Sequence, residues 1–385
     1  MGASGLTMRR VCYVSGTRAD FGLMSRTLAA IEGHPDLSLS LLVTGMHLSP
    51  AHGHTVEEIE RAGLTIAARV PVPMEPATGA TMARNIGAMT GAFVDALEAE
   101  RPDVVLLLGD RGEMLAGALA AIHLNIPVAH ACGGERSGTI DEPVRHAVSK
   151  LSHLHFAATE GARERLIRMG EAPEHVHVIG APGIDGLDDD PRAGKAAVAE
   201  RHGLSPDRPI ALFVYHPVLQ EAERAEADTR VLIDALREAG CQIIALMPNS
   251  DAGSDGVRRA LDAAGALPDV RVLTHLPREA FLDALAAADI MVGNSSSGIT
   301  ESASFGTPVL NVGRRQNLRE RNANLVDVPV DAGPVRDGIA RLLAHGRFPR
   351  ANIYSVPGGT AAGRIAALLA DAPLDESLLM KVNRY

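Results

Sequence analysis

The feature that most constrains the fold is a regular alternation of short, continuous apolar runs with longer segments of helical periodicity. A run such as VVLLL (104–108) lacks the polar–apolar alternation of a half-exposed strand. We therefore predict strands buried on both faces, as in parallel sheets covered by helices. The predicted strands are 11–15, 37–43, 104–108, 128–131, 154–157 and 176–179 in the first half, and 210–214, 242–246, 271–273, 290–292 and 309–311 in the second.

Helical patterns between these strands complete an α/β arrangement. In the first half they cover residues 22–32, 81–100, 113–124, 142–151 and 160–169. The 385 residues suffice for two or three domains at about 150 residues each. The segment 180–195 is rich in Gly, Pro and Asp and has no periodicity. We therefore predict two doubly wound, Rossmann-like domains facing a central cleft: an N-terminal domain (1–182) with acidic catalytic loops and a C-terminal nucleotide-binding domain (183–385), whose last helix crosses back to the first.

Composition and charge exclude several classes of protein. The formal net charge is −10, so the chain has no general attraction to nucleic acid or to an anionic membrane. Residues 114–134 carry no formal charge, but Pro127 divides them, which indicates a buried helix and strand rather than a membrane span. Cys12, Cys132 and Cys241 lie far apart, and no metal-ligand spacing is present. The N-terminus lacks an apolar signal segment, so we predict a cytoplasmic protein.

Chemically active side chains follow the predicted strands of the first half, where sheets of this kind bind ligands. A helix-opening turn carries Arg18, whose guanidinium suits phosphate; the alternative is a solvated Arg18 with Asp20 as the helix cap. Asp110 follows VVLLL, either in the cleft or as a helix N-cap. The next such loop adds Glu135 and Asp141 to the same edge. Carboxylates that share a cleft raise one another's pKa, which suits general acid–base chemistry.

The second half repeats this placement with different side chains. His216 stands directly after a strand, and Asn249 and His275 follow two others. A lone histidine is more often structural, but its position at a strand end favours the cleft. Glu142 and His146, spaced four apart on a helix, are predicted to form a local pair.

The loop GNSSSGITE (293–301) joins a strand to a helix through small residues. Its backbone N–H groups and the hydroxyls of Ser296 and Ser297 are suited to a diphosphate, and Glu301 is suited to ribose hydroxyls. The alternative is an ordinary serine-capped helix. The following GRRQNLRE (313–320) brings guanidinium groups, including that of Arg319, to the same edge.

Taken together, these motifs resemble the hydrolysing UDP-N-acetylglucosamine 2-epimerases of the sialic-acid and legionaminic-acid pathways. The similarity runs in order over nearly the whole chain, through GTRADFG (16–22), VTGMHLSP (43–50), GDRGE (109–113), GGERSGTIDEPVRHAVSKLSHLHFAATE (133–160), HPV (216–218), PNSDAG (248–253), GNSSSGITE (293–301) and GRRQNLRE (313–320). The resemblance implies the GT-B architecture, which has two Rossmann-like domains.

The resemblance also implies an activity. UDP is eliminated across C1–C2 of UDP-N-acetylglucosamine, and water adds to the 2-acetamidoglucal to give N-acetylmannosamine and UDP. By resemblance, the catalytic residues are Asp110, Glu135, Asp141 and His216. The residues that hold the nucleotide are Arg18, Arg111, Asn249, His275, Ser296, Ser297, Glu301 and Arg319. No cofactor or metal is expected, the partner is the nucleotide sugar, and the family resemblance suggests a homodimer or homotetramer.

Other functions stay open at this point. The substrate is a UDP-linked 2-acetamido sugar or a UDP- or GDP-linked 2,4-diacetamido sugar. A non-hydrolysing epimerase would return UDP-N-acetylmannosamine, although the GTRAD and GNSSSG motifs favour the hydrolysing branch. A GT-B glycosyltransferase has no need of the acidic loops and would require an acceptor. A nucleotide-sugar sensor would have no need of them either.

Overall fold

The first half of the chain forms one parallel sheet. The computed structural model describes residues 8–187 and 191–385. Within the first range the strands are β1 (Arg9–Ser15), β2 (Leu37–Thr44), β3 (Ile66–Val70), β4 (Val104–Leu108), β5 (Val128–Ala131), β6 (Leu154–Ala157) and β7 (Val176–Val178). These seven strands pair in the order β3-β2-β1-β4-β5-β6-β7. We call this sheet and its helices the first domain.

Helices cover both faces of this sheet. They are α1 (Arg18–Glu32), α2 (Val56–Arg61), α3 (Gly79–Glu100), α4 (Gly112–His123), α5 (Asp141–Leu151) and α6 (Glu160–Arg168). Successive strand residues point to opposite faces, so Tyr13 of β1 packs in one core with Met24 of α1. Its neighbour Val14 packs in the other core with Phe93 of α3. Burial on both faces explains why a strand such as β4, VVLLL, is continuously apolar.

A second parallel sheet forms within residues 191–385. Its strands are β8 (Ile210–Val214), β9 (Gln242–Leu246), β10 (Val270–Leu273), β11 (Ile290–Gly293), β12 (Val309–Val312) and β13 (Leu325–Val328), and they pair in the order β10-β9-β8-β11-β12-β13. The helices of this second domain are α7 (Lys195–Arg201), α8 (Ala225–Glu238), α9 (Ser254–Ala264), α10 (Arg278–Ala287), α11 (Ser296–Thr300), α12 (Ser302–Phe305) and α13 (Ala332–His345).

The end of the chain returns to the first domain. Two further helices, α14 (Ala361–Asp371) and α15 (Glu376–Leu379), follow the second domain. Ile365 of α14 lies in the same core as Met24 of α1. The Asp185 carboxylate accepts the backbone N–H groups of Ala361 and Ala362 at 3.0 and 2.7 Å, and so anchors the first turn of α14. The chain therefore passes between the two domains twice.

The structure confirms the predicted α/β class and all eleven predicted strands, with small changes at their ends. It adds β3 and β13, and it starts α1 at Arg18 rather than at residue 22. Residues 114–134 contain α4 and β5, as predicted. The boundary between residues 182 and 183 stays a prediction. Residues 188–190 of the expected linker and 1–7 of the N-terminus lie outside the described ranges. No helix within those ranges is long and apolar enough to cross a membrane.

Candidate active site

A cavity lies between the two domains, at the carboxyl ends of both sheets. Nine of the twelve predicted site residues line it: Arg18, Asp110, Arg111, Glu135, His216, Asn249, His275, Ser296 and Arg319. Among the described residues, six arginines and three carboxylates contribute to its wall. Arginines therefore outnumber carboxylates on the wall itself, although the net charge of the chain is −10. Such a site attracts an anionic ligand.

Asp110 and Glu135 are joined by an arginine that was not assigned a role from the sequence. Arg145 of α5 forms an ion pair with Asp110 and a second one with Glu135, its Nη1 lying 3.2 Å from Glu135 Oε2. It also donates to the carbonyl of Cys132 at 2.9 Å. Asp110 is not a helix cap, because Arg111 occupies the N-cap position of α4. The Asp110 carboxylate is therefore free to face the cavity.

Asp141 is the first residue of α5 and lies beside the cavity rather than on its wall. Its carboxylate is 3.5 Å from Arg315 of the second domain. Burial raises the pKa of Asp141, and the negative charge of Asp110 raises it further. Burial also opposes ionisation of Asp110, but Arg145 and then Arg315 outweigh it, so the pKa of Asp110 falls below its ordinary value. The site therefore holds an ionised carboxylate next to one that retains its proton more readily.

His216 presents a neutral imidazole to the cavity. Burial, followed by the charges of Arg315 and Arg111, holds its pKa well below the ordinary value. The backbone N–H of Asn249 donates to His216 Nδ1 at 3.4 Å, which leaves the ring proton on Nε2. Asn294 fixes the His216 backbone, accepting its N–H at 2.7 Å and donating to its carbonyl at 2.8 Å. His216 is thus arranged as a hydrogen-bond donor.

Arg18 reaches the cavity because a capping box fixes the start of α1. Thr17, rather than Asp20, is the N-cap residue, and its hydroxyl accepts the Asp20 N–H at 3.2 Å. Asp20 accepts the Thr17 N–H at 2.7 Å in return. Burial lowers the pKa of Arg18, partly offset by Glu58. Within the described ranges, neither Arg18 nor the cavity-lining Arg258 has a hydrogen bond or ion pair, so both guanidinium groups are available to a ligand.

Other predicted nucleotide residues line the cavity while contacting protein groups. Arg111 lies 3.4 Å from Glu113 and 3.5 Å from Asp251, which belongs to the second domain. The Asn249 side chain also contacts Asp251. Burial, followed by the nearby Arg18, lowers the pKa of His275, so this imidazole is neutral. The contact between Arg111 and Asp251 joins the two domains across the cavity.

The GNSSSGITE loop joins β11 to α11, and some of its predicted ligand residues line the cavity while others do not. Ser295 caps α11, Ser296 lines the cavity, and Ser297 turns away and shares a 2.7 Å hydrogen bond with the Ser295 hydroxyl. Consecutive helical residues point about 100° apart, which is why only one of these two hydroxyls faces the cavity. Glu301 is buried outside the cavity wall and pairs with Arg278. Binding of ribose by Glu301 stays a prediction.

Sequence reasoning missed Arg145, Arg258 and Asn294. Arg145 was detectable, because it lies four residues after Asp141 on the same helix face. Arg258 lies within helix α9, and Asn294 forms hydrogen bonds with the backbone of His216, which follows a different strand. Neither position is therefore marked by a motif or a spacing in the sequence around it. Glu142 and His146 form the predicted local pair, with Oε1 and Nε2 3.1 Å apart.

A protein-family model described as UDP-N-acetylglucosamine 2-epimerase matches residues 29–370. The chain belongs to this epimerase family. The resemblance stated from the motifs is thereby confirmed.

Two curated relatives and one solved structure are consistent with the family. The chain is 47% identical to the UDP-N,N'-diacetylbacillosamine 2-epimerase (hydrolyzing) of Legionella pneumophila, over 98% of this chain and 100% of that protein. It is 37% identical to a UDP-N-acetylglucosamine 2-epimerase of Neisseria meningitidis serogroup B, over 89% of each chain. A crystal structure of UDP-GlcNAc 2-epimerase from Neisseria meningitidis bound to UDP-GlcNAc superposes with a TM-score of 0.77 at 18% identity, covering 94% of this chain and 99% of that one. This epimerase-family chain therefore has the GT-B fold.

Proposed function

We propose that the chain is a hydrolysing 2-epimerase of UDP-linked 2-acetamido sugars. The observation that carries the proposal is the cavity itself, in which free guanidinium groups accompany a set of carboxylates with opposite pKa shifts. The cations suit a diphosphate leaving group, and the carboxylates suit proton transfer at a sugar carbon. A nucleotide-sugar sensor or a simple glycosyltransferase has no need of these carboxylates.

We assign the first proton transfer to Glu135. Its carboxylate lines the cavity, and one of its oxygens has no partner among the described residues. Glu135 accepts the C2 proton while the C1–O bond to UDP breaks, and the electron pair of the C–H bond becomes the C1=C2 double bond. Arg18 and Arg258 balance the charge on the departing diphosphate, and His216 Nε2–H donates a hydrogen bond to it.

We assign the hydration to Asp110 and Asp141. The ionised Asp110 accepts a proton from water as its oxygen adds to C1. Asp141, whose raised pKa favours the protonated form, donates its proton to C2 through a bridging water molecule, because its carboxyl group lies beside the cavity rather than on its wall. Over one cycle two carboxylates gain a proton and one loses a proton, so one proton leaves with UDP and the free sugar. The overall reaction is therefore hydrolysis of the UDP-sugar with inversion of configuration at C2.

For the sugar, we propose UDP-N,N'-diacetylbacillosamine, because the relative with that name shares 47% identity with the chain over its full length. UDP-N-acetylglucosamine is the second candidate, supported by the relative at 37% identity. Location in the cytoplasm and assembly as a homodimer or homotetramer stay predictions.

The test is to incubate the chain with each UDP-sugar in D₂O without an acceptor. We expect UDP and a free sugar that carries one deuterium at C2, because the proton that C2 receives comes from solvent. Mass spectrometry and NMR of the product measure this directly. A free sugar without deuterium at C2 would indicate simple glycosidic hydrolysis and overturn the proposal. A UDP-linked epimer would indicate the non-hydrolysing reaction instead.

A further inference from the structure

The carboxylate of Glu135 is held through only one of its two oxygens. Arg319 Nη2 lies 2.7 Å from Glu135 Oε2, and Arg145 Nη1 lies 3.2 Å from the same atom. Oε1 is buried and has no hydrogen-bond partner within the described ranges. Two cations on one oxygen fix the orientation of the carboxylate and leave the other oxygen free to receive a proton.

The two arginines come from different domains. Arg145 belongs to α5 of the first domain, whereas Arg319 belongs to the loop after β12 of the second. These loops are in direct contact, since the Gly138 N–H donates to the carbonyl of Arg315 at 3.2 Å. A Cβ atom at Gly138 would overlap the Arg314 carbonyl oxygen, so this contact requires a glycine at that position. Arg319 reaches Glu135 only while the domains stay in this contact.

We propose that Arg319 is a positioning residue that couples closure of the two domains to the alignment of Glu135. The proposal rests on the proposed function, in which Glu135 accepts the C2 proton. When the domains separate, Glu135 keeps Arg145 but loses Arg319, and its carboxylate regains rotational freedom. The base is then aligned only when the cavity is closed around a substrate.

This role differs from the nucleotide contact predicted from the sequence. The charge of Arg319 is already matched by Glu135, and its side chain is only 6% exposed. Its Nε has no partner among the described residues, so a phosphate oxygen at that atom is the competing interpretation. The two interpretations differ in what the loss of Arg319 does to UDP affinity. If Arg319 binds the nucleotide, its loss lowers the affinity for UDP. If Arg319 positions Glu135, its loss lowers kcat.

The test compares Arg319→Met and Arg319→Lys with the wild-type chain. We expect Arg319→Met to lower kcat by roughly 100-fold, because a misplaced catalytic group costs about that much. The affinity for UDP, measured by calorimetry, should stay unchanged. Arg319→Lys should recover part of kcat, since a single ammonium can still reach Glu135 Oε2. Because Arg319→Lys keeps the positive charge, it remains a usable test if Arg319→Met does not fold.

The matched control is Glu320→Gln. Glu320 pairs with Arg165 across the same domain contact at 2.7 Å without touching Glu135. The kcat of Glu320→Gln should equal that of the wild type. Equal loss of UDP affinity and kcat in the Arg319 variants would make Arg319 a nucleotide ligand and overturn the proposal, as would wild-type kcat in Arg319→Met. Failure of the proposed function would instead show as absence of turnover in the wild-type chain.

Discussion

Asp110 and Asp141 influence each other's ionisation, yet their pKa values move in opposite directions. Burial disfavours the charged form of both. The difference arises because Arg145 contacts Asp110 directly, whereas Asp141 has only Arg315 at 3.5 Å and also faces the negative charge of Asp110. Asp110 therefore ionises more readily than Asp141.

This pair predicts a bell-shaped dependence of kcat on pH. With the roles proposed above for the two carboxyl groups, activity should fall at low pH as Asp110 takes up a proton, and at high pH as Asp141 loses its proton. Arg315 favours the charged form of both carboxylates, so Arg315→Met should move both limbs to higher pH, by about one unit. The neighbouring Arg314 is exposed, and Arg314→Met is the matched control with unchanged limbs. Unmoved limbs in Arg315→Met would contradict the assignment.

Removing the ionisable carboxyl groups gives a second prediction. Glu135→Gln, Asp110→Asn and Asp141→Asn should each lower kcat by roughly 10²–10⁴-fold, the usual contribution of general acid–base catalysis. UDP affinity should remain, because Arg18 and Arg258 are untouched. Steady-state kinetics and calorimetry measure the two quantities. Glu60→Gln, which alters an exposed ion pair with Arg69, is the control. Near-normal turnover in two of the three variants would refute the assignment.

The site residues that could be predicted from the sequence follow a predicted strand, whereas those that were missed or assigned another partner depend on contacts between distant parts of the chain. Asp110 and Glu135 were predictable because parallel strands bring the residues after them to one edge. Arg319 was predicted as a ligand of the nucleotide, but its partner in the structure is Glu135 of the other domain. A contact between two domains leaves no periodicity or local spacing in the sequence. The same reason applies to Arg258, which lies within a helix.

At the scale of elements, the C-terminal segment after α15 supports the helix that carries Asp141. Lys381 Nζ donates to the carbonyls of Ser149, Lys150 and Ser152 at 3.3, 2.9 and 2.6 Å, at the C-terminal end of α5. A cation there satisfies carbonyls that the helix leaves open and interacts favourably with its dipole. Lys381 also pairs with the buried Glu171 at 2.6 Å. The end of the chain therefore holds α5 from the side opposite the cavity.

We expect Lys381→Met to lower kcat by about 10-fold at temperatures well below unfolding, because a small misplacement of a catalytic group is costly. UDP affinity should not change. Arg384→Met is the matched control on the same segment, since Arg384 pairs with the exposed Glu174 and does not contact α5. Kinetics and thermal unfolding of both variants make the comparison. If Lys381→Met lowers only the melting temperature, the segment stabilises the fold without positioning α5.

The two strands missed from the sequence, β3 and β13, lie at edges of their sheets. An edge strand buries less of its surface, and the residues of both are largely half-exposed. Their sequences, IAARV and LVDV, therefore contain charged residues and lack the continuous apolar run that marked the interior strands. Interior strands were predicted more readily because burial on both faces favours apolar side chains, even where a strand also buries a polar residue such as His130 or Gln242.

At the scale of the molecule, charge is distributed unevenly. The chain carries a net charge of −10, yet arginines outnumber carboxylates on the described wall of the cavity by six to three. An acidic exterior repels anions in general, whereas the cavity attracts those that fit between the domains. Because the wall draws on both domains, we expect a ligand bound there to contact both and to favour the folded chain.

This distribution predicts how nucleotides stabilise the chain. A ligand that binds only the folded state at 100 times its Kd adds about 2.7 kcal/mol to the free energy of unfolding. UDP should therefore raise the melting temperature, and uridine at the same concentration should raise it much less, because it lacks the diphosphate that Arg18 and Arg258 would bind. Arg18→Met should reduce the shift caused by UDP and leave the smaller shift caused by uridine unchanged. Thermal unfolding followed by circular dichroism measures all four values, with Arg314→Met as the control. Equal shifts from UDP and uridine would show that the guanidinium groups do not bind the diphosphate, and a larger shift from GDP than from UDP would assign the cavity to a guanine nucleotide.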